Sequence, residues 1–246
     1  MHVEYHKEWS DHLQRNMEFK VYGRAGRPVI VFASGGGKFY EFEDFGMVDA
    51  VRWFIEQGKI QLYTIDSVDQ EAWLGPDWVH PEDKGRRHNQ YERYIIDEFI
   101  PLVHDRLGEA RLFMTTGCSM GACHAANFYF KHPDLFDGVI SLSGLYGPWY
   151  FVGDYVDDTV YFNFPLLYLP NLRDPWYLKR YRASDIIICV GQGAWEDIHL
   201  EETRALEDVL RQLEVGARME YWGHDVRHDW PWWQKQLPYF LSELEL

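Results

Sequence analysis

Apolar residues recur along the chain with two different periods, and the two patterns alternate. Short runs of β-branched and aromatic residues, in which polar positions alternate or are missing, predict strands. Eight of them are expected, at 2–9, 16–22, 29–33, 60–65, 112–116, 138–143, 185–190 and 218–222. Segments with apolar residues three or four positions apart predict helices at 47–57, 86–107, 198–214 and 230–244, and one more directly after the fifth strand.

The order of these elements indicates the fold class. Strands and helices alternate, which is typical of an open α/β sheet with short right-handed crossovers. The strand at 29–33 contains no polar residue, as expected of a strand covered on both faces. The sequence therefore predicts an α/β fold with an eight-stranded, mostly parallel sheet and helices on both faces.

One segment departs from this regular pattern. Residues 144–182 carry many aromatic side chains between several prolines, without a clear period. Two interpretations stay open: a packed insertion over the sheet, or a lid that forms a wall of an acyl-group site. Because the 246 residues show no linker or shift in composition, we expect a single domain over 1–246 that includes this lid-like insertion.

Composition and charge narrow the classes of function. Lysine and arginine number 24 against 39 aspartate and glutamate residues, which gives a net charge of −15. This charge disfavours nucleic acids and anionic membrane surfaces as partners. The polar N-terminus and the lack of any run of about 20 apolar residues predict neither a signal peptide nor a membrane span.

The three cysteines, Cys118, Cys123 and Cys189, all fall in segments predicted to be buried. An odd number of buried cysteines fits no disulfide framework. Reduced thiols, together with the absence of a signal sequence, lead us to expect a cytoplasmic protein.

The strongest chemical signal lies in residues 111–130, RLFMTTGCSMGACHAANFYF. A β-prone run stops at the motif G-C-S-M-G (117–121) and passes directly into a segment with helical spacing. Glycines on both sides of Ser119 leave room for a sharp turn that exposes the hydroxyl group, as in the nucleophile elbow of α/β-hydrolases. Ser119 is therefore the candidate nucleophile, and a chance match to the short motif is the alternative.

A serine hydroxyl needs a base and an oriented acid, which an open α/β sheet places in loops after its strands. The loop after the eighth strand offers His224, which is nearer the strand, and His228, which a helix starting at Trp230 would hold in place. A metal site of this histidine pair is an alternative, but it would need a helix where the sequence predicts a loop. The other histidines, His199 among them, are expected at the surface or in packing roles.

Two adjacent carboxylates, Glu196 and Asp197, follow the seventh strand. Asp197 directly precedes the periodic run that begins at Ile198, so we expect it to cap that helix by accepting an unpaired backbone amide. Glu196 is then free to orient the histidine. Nucleophile, acid and base thus follow one another in the order found in α/β-hydrolases.

Three glycines follow the third strand, at 35–37, without the spacing of a phosphate-binding loop. In a hydrolase, this loop supplies a backbone amide to the oxyanion hole, beside the amide of the residue after the nucleophile. We therefore expect the amides of Gly36 and Met120 to form the oxyanion hole. A flexible turn is the alternative.

Three stretches resemble the putative-esterase family of α/β-hydrolases: GCSMGACHAANFYFKHPDLFDGVISLSG, CVGQGAWED and HDWPWWQKQLPYF. That family includes S-formylglutathione hydrolases, feruloyl and other carbohydrate esterases, and mycolyltransferases. The resemblance covers most of the chain from about residue 29 onward. It matches Ser119 to the family's serine, His228 to the histidine of its H-x-W-x-x-W segment, and Glu196 to its acid. Ala122 departs from the second glycine that many members have.

The resemblance implies a serine esterase that uses neither a cofactor nor a metal. It would form an acyl-enzyme on Ser119 from a small-molecule or carbohydrate ester, and water would release the acyl group. One alternative is an acyltransferase that passes the acyl group to a sugar or other alcohol. Another is a non-catalytic binding protein on the same fold.

Overall fold

The computed structural model describes all residues from Met1 to Leu246. Its strands are β1 (Val3–Ser10), β2 (Arg15–Tyr22), β3 (Arg27–Phe32), β4 (Ile60–Ile65), β5 (Phe113–Cys118), β6 (Phe136–Leu142), β7 (Asp185–Val190) and β8 (Arg218–Tyr221). They form one eight-stranded sheet in the order β1-β2-β4-β3-β5-β6-β7-β8. β2 pairs antiparallel with β1 and β4, and every other pair is parallel. The predicted eight-stranded, mostly parallel sheet is confirmed.

The helices vary widely in length. They are α1 (Glu41–Asp44), α2 (Met47–Ala50), α3 (Arg52–Glu56), α4 (Pro81–Arg93), α5 (Ile100–Leu107), α6 (Met120–Lys131), α7 (Trp149–Val152), α8 (Asp158–Tyr161), α9 (Pro165–Tyr168), α10 (Pro175–Tyr181), α11 (Asp197–Gln212) and α12 (Trp230–Ser242). Short 3₁₀ turns occur at Asp69–Glu71 and Leu169–Asn171, and a π-helical segment spans Tyr94–Phe99. None of the helices has the length and apolar character needed to cross a membrane.

Two predicted helices are interrupted in the structure. Residues 47–57 form α2 and α3, which are separated at Val51, where φ is −105°. The helix predicted at 86–107 begins earlier, at Pro81, because the ring of His80 accepts a hydrogen bond from the Glu82 amide at 3.3 Å. Its π-helical part lies directly before α5, whose Pro101 has no N–H to continue the α-helical pattern.

Helices cover both faces of the sheet, and two apolar layers result. Along β3, Ile30 and Phe32 belong to one layer of 33 buried residues, which includes Phe128 of α6. Val29 and Val31 belong to the opposite layer of 21 buried residues, which includes Trp233 of α12. The absence of polar residues in this strand thus reflects burial on both sides, as predicted. The three cysteines are also buried, as expected.

A partly buried ion cluster ties the end of α6 to α4. The carboxylate of Glu92 accepts hydrogen bonds from Lys131 Nζ at 2.5 Å and from His132 Nε2 at 2.7 Å. Burial alone would raise the pKa of Glu92, but the His132 hydrogen bond and the Lys131 charge outweigh it and lower the pKa to about 2. Ionised Glu92 therefore holds α6 in place.

We expect Glu92→Gln to reduce the free energy of unfolding at pH 7 by roughly 2–3 kcal/mol. The pKa of Glu92 is lower in the folded state than the usual 4.5. The stabilisation is therefore present above pH 4.5 and is lost as the pH falls towards 2. Urea unfolding at pH 7 and pH 3 measures this, with the exposed Glu201→Gln as control. An equal loss at both pH values would contradict the prediction.

Candidate active site

Ser119 occupies the turn between β5 and α6. Its backbone has φ 56° and ψ −120°, a conformation that is strained for any residue other than glycine. The Ser119 amide donates to the Leu142 carbonyl at 2.9 Å, and the Ala122 amide donates to the Ser119 carbonyl at 3.0 Å. The turn is thus held by backbone hydrogen bonds on both sides, as in a nucleophile elbow.

The glycines of the motif allow α6 to pass close to the sheet. A Cβ atom on Gly121 would lie 2.3 Å from the Phe32 carbonyl oxygen of β3. A Cβ atom on Gly117 would lie 2.3 Å from the carbonyl carbon of Gly121. Larger side chains at either position would push the helix away from the sheet, so these two glycines fix the position of Ser119. Ala122, the departure from the family pattern, is fully buried within this helix.

His228 lies in the loop between β8 and α12, with its Nε2 atom 2.9 Å from Ser119 Oγ. The His228 amide donates to the Ala194 carbonyl at 3.0 Å. On the other side, the Asp229 carboxylate accepts from the Trp230 amide at 2.8 Å and caps α12. The start of this helix therefore holds the His228 loop, as predicted.

The loops after β7 and β8 are in direct backbone contact. The Gly193 amide donates to the Val226 carbonyl at 2.7 Å. Cβ atoms on Gly191 and Gly193 would lie 2.3 and 2.6 Å from the same oxygen. Only glycine permits this approach, so the G-Q-G segment after β7 brings the loop that carries Glu196 against the loop that carries His228.

Glu196 is almost completely buried, with 1% of its surface exposed. Its Oε2 atom lies 3.1 Å from His228 Nδ1, and its Oε1 atom accepts from the Ser143 hydroxyl at 2.6 Å. The Ser143 oxygen in turn accepts from Trp233 Nε1 at 3.2 Å. Both carboxylate oxygens are thus engaged, which fixes the orientation of Glu196 towards the imidazole. Ser143 and Trp233 were not predicted as site residues.

The predicted capping role of Asp197 is wrong. α11 begins at Asp197 itself, and Glu196 occupies the cap position without a side-chain cap hydrogen bond. Asp197 is exposed in the first turn, where its charge can interact favourably with the helix dipole. The structure nevertheless places Glu196, not Asp197, next to His228. The choice of Glu196 over Asp197 therefore agrees with this contact, although the capping role of Asp197 on which it was based is absent from the structure.

His224 is exposed and does not contact Ser119. It lies in a turn closed by a hydrogen bond from the Val226 amide to the Gly223 carbonyl at 3.0 Å. The segment is a loop, as predicted, so His224 and His228 do not share a helical face.

The residues proposed for the oxyanion hole lie in two neighbouring segments. Met120 is the first residue of α6, so its amide has no intrahelical partner. Residues 34–37 form a turn closed by the Gly37 amide on the Ser34 carbonyl at 2.8 Å, with φ 73° at Gly36. The amides of the two central residues, Gly35 and Gly36, take no part in this hydrogen bond. Gly35, rather than Gly36, lines the pocket beside Ser119.

His199 also enters the site, although the sequence suggested only a surface or packing role. Its ring stacks on that of His228 with centroids 4.2 Å apart, and its Nδ1 atom lies 3.7 Å from Glu196 Oε2. Burial, followed by the neighbouring His228, lowers the pKa of His199 to about 4, so the ring is neutral at pH 7. The spacing of three residues from Glu196 on a helix was a signal that could have identified it.

These side chains open into a pocket of about 370 Å³. Its walls are mostly apolar and comprise Leu74, Met120, Cys123, Leu145, Tyr150, Phe151 and Trp195. Trp195 and Tyr150 are 70% and 64% exposed at its mouth. Three larger clefts, of about 880, 540 and 520 Å³, lie elsewhere, and none of them includes Ser119 or His228. The convergence of chemical groups, rather than size, therefore identifies the smaller pocket as the candidate active site.

The sheet order and the strand–turn–helix around Ser119 define an α/β-hydrolase. A family model described as "Putative esterase" matches residues 10–244, and the chain belongs to this family. Membership supports ester hydrolysis in general terms.

Several solved structures share the fold over nearly the whole chain. A ferulic acid esterase is 16% identical, with a TM-score of 0.75 and 98% of each chain covered. An S-formylglutathione hydrolase from Agrobacterium tumefaciens is 14% identical, with a TM-score of 0.74 and coverage of 98% of this chain and 93% of that one. MPT51 from Mycobacterium tuberculosis is 13% identical, with a TM-score of 0.76 and coverage of 99% and 97%. No curated protein sequence matches the chain.

Proposed function

We propose that this protein is a serine esterase that hydrolyses a carboxylic ester through an acyl-enzyme on Ser119. The main support for this proposal is a continuous series of two contacts. Ser119 Oγ lies 2.9 Å from His228 Nε2, and His228 Nδ1 lies 3.1 Å from Glu196 Oε2. These three groups come from separate loops, yet each lies within hydrogen-bond distance of the next. Such a geometry suits proton transfer from a serine to a base.

In this mechanism, His228 Nε2 accepts the hydroxyl proton while Ser119 Oγ attacks the ester carbonyl carbon. Glu196 holds the proton on His228 Nδ1 and stabilises the imidazolium that forms. The amides of Met120 and of Gly36, or its neighbour Gly35, donate to the oxyanion. The imidazolium then protonates the departing alcohol, and a water molecule, activated by the same histidine, hydrolyses the acyl-enzyme.

The pocket indicates the kind of ester that would fit. At about 370 Å³ it lies towards the small end of the usual range for ligand sites, and its walls are mainly apolar. The exposed rings of Trp195 and Tyr150 offer flat faces for a sugar or an aromatic group. We therefore propose a small-molecule or carbohydrate ester as substrate.

Residues 144–182 serve as a lid in this proposal. Tyr150 and Phe151 of α7 form part of the pocket wall. The buried Glu202 of α11 accepts hydrogen bonds from the amides of Tyr146 and Gly147, at 2.5 and 2.8 Å, and thereby anchors the start of the segment. Burial raises the pKa of Glu202, although the amide hydrogen bonds oppose the shift.

An acyltransferase remains the second candidate, favoured by the exposed aromatic rings at the pocket mouth, which could hold an acceptor alcohol. Both reactions share the acyl-enzyme and differ only in whether water or an alcohol attacks it. A non-catalytic binding protein would have no need for the aligned Ser119, His228 and Glu196.

We expect a fluorophosphonate probe to label the protein on Ser119, and p-nitrophenyl esters to be hydrolysed. Mass spectrometry of the labelled peptide and a series of esters of increasing acyl length would measure both. An added sugar or alcohol that increases turnover and becomes acylated would favour the transferase. If the protein is neither labelled by the probe nor able to hydrolyse the esters, the non-catalytic binding protein is favoured. Ser119→Ala is the control for labelling.

A further inference from the structure

Glu196, His199 and His228 form a cluster of possible metal ligands inside the candidate active site. One ligand atom from each residue lies within 4.8 Å of the others. Glu196 Oε2 is 3.1 Å from His228 Nδ1 and 3.7 Å from His199 Nδ1. In a tetrahedral zinc site with bonds of 2.0–2.2 Å, ligand atoms lie about 3.4 Å apart. Because the His199 ring stacks on that of His228, with centroids 4.2 Å apart, it would have to shift and turn out of the stack for both lone pairs to point to one ion.

The donor set also suits a transition metal. Two imidazole nitrogens and one carboxylate oxygen form a common three-ligand set for Zn²⁺, with a fourth position open to water. The His199 Nδ1 atom is buried and has no hydrogen-bond partner, so its lone pair is available to a metal ion. Ca²⁺ and Mg²⁺ prefer sites made of oxygen atoms and fit this set poorly.

We propose that Glu196, His199 and His228 bind Zn²⁺ or a similar transition-metal ion, and that this binding reversibly inhibits the enzyme. The binding stands on the ligand geometry alone, whereas the inhibition rests on the proposed esterase function. The metal would be an inhibitor and not a cofactor of the reaction.

The inhibition follows from the two nitrogens of His228. In the proposed mechanism, the resting His228 ring carries its proton on Nδ1 and donates it in a hydrogen bond to Glu196, while the Nε2 lone pair faces Ser119. A metal ion bound to Nδ1 uses the lone pair of that nitrogen, so the proton must lie on Nε2. No proton is gained or lost, but Nε2 can no longer accept the Ser119 proton. The metal would also hold Glu196 and thereby stabilise the inactive tautomer.

Binding can be measured without any activity, in the Ser119→Ala protein, whose three ligands are unchanged. We expect Zn²⁺ to bind with a 1:1 stoichiometry by calorimetry, and Co²⁺ to give the visible absorption of a four-coordinate ion. His199→Gln should weaken binding at least about tenfold, since even the loss of a partner of a metal ligand has effects of 10–100-fold. Glu196→Gln is a second ligand variant, and His224→Gln, an exposed histidine in the His228 loop, is the matched control. Circular dichroism checks the folding of each variant.

Turnover measurements test the inhibition. In the wild-type enzyme, a chelator alone should leave ester hydrolysis unchanged, added Zn²⁺ should abolish it, and EDTA should restore it. Ca²⁺ and Mg²⁺ at the same concentrations should have no effect. In His199→Gln, Zn²⁺ should inhibit much less, so that the activity with Zn²⁺ is close to the activity of the same variant without Zn²⁺. This comparison does not depend on the basal rate of the variant.

Each outcome decides between the proposals. No Zn²⁺ binding by Ser119→Ala, or binding that His224→Gln weakens while His199→Gln does not, would overturn the metal site. Activity lost on chelation and restored by Zn²⁺ would overturn the inhibitory role. Zinc binding that depends on His199, in a protein that hydrolyses no ester, would leave the metal site standing and reject the esterase.

Discussion

Replacement of Ser119 by alanine should reduce turnover of any ester substrate by about 10⁴-fold or more, with little change in folding. The change removes the attacking oxygen, and no other side chain in the pocket can replace it. Cys123 also lines the pocket, but its thiol donates to the Leu145 carbonyl, and burial raises its pKa. It therefore stays protonated and unreactive. Alanine tolerates the strained backbone at this position about as well as serine does, so the turn should persist.

Steady-state hydrolysis of the best p-nitrophenyl ester, together with thermal unfolding, would measure both parts of this prediction. Ser242→Ala, at the exposed end of α12, is a control that removes a hydroxyl group far from the pocket. Hydrolysis at the wild-type rate by Ser119→Ala would reject Ser119 as the nucleophile. Circular dichroism would show whether Ser119→Ala is folded. If it is not, Ser119→Gly replaces it, because glycine relieves the backbone strain at this position.

The elbow could be predicted from sequence because all its determinants are local. A buried strand, two glycines and an apolar helix follow one another within 20 residues, and each has a period or a residue type of its own. The glycines have a tertiary reason as well, since Gly121 allows α6 to approach β3. Buried strands such as β3 were predicted for a similar reason, because burial on both faces excludes polar residues, whereas β1 and β2 were predicted from alternating polar and apolar positions.

Other parts of the site depend on distant contacts that no short segment reveals. Ser143 follows β6 in a tight turn, with φ 57°, and reaches Glu196 only because β6 and β7 are neighbours in the sheet. The sequence predicts His199 at the surface or in a packing role, because its spacing of three residues from Glu196 becomes informative only once Glu196 is placed beside His228. The division of 47–57 into α2 and α3 was missed for the opposite reason, since its apolar spacing continues across Val51 although the helix does not.

The choice between the adjacent acids leads to the second large effect. Glu196→Gln should lower turnover by about 10²–10⁴-fold, because a neutral amide cannot stabilise the imidazolium of His228. An amide offers one acceptor oxygen, whereas the Glu196 carboxylate accepts from both His228 and Ser143. If the amide nitrogen faces His228, it favours the wrong tautomer and gives the larger loss. If it faces Ser143, the geometry survives, only the charge is lost, and the smaller loss results.

Asp197→Asn is the matched control, since it removes the same charge one residue further along the chain. Asp197 lies exposed in the first turn of α11 and makes no side-chain cap hydrogen bond. Its replacement should cost only about 0.3–1 kcal/mol of stability, through the helix dipole, and leave turnover nearly unchanged. Kinetics and urea unfolding of both variants would separate the two carboxylates. A large loss of turnover in Asp197→Asn with near-normal activity in Glu196→Gln would reverse the assignment of the acid while leaving Ser119 and His228 in place.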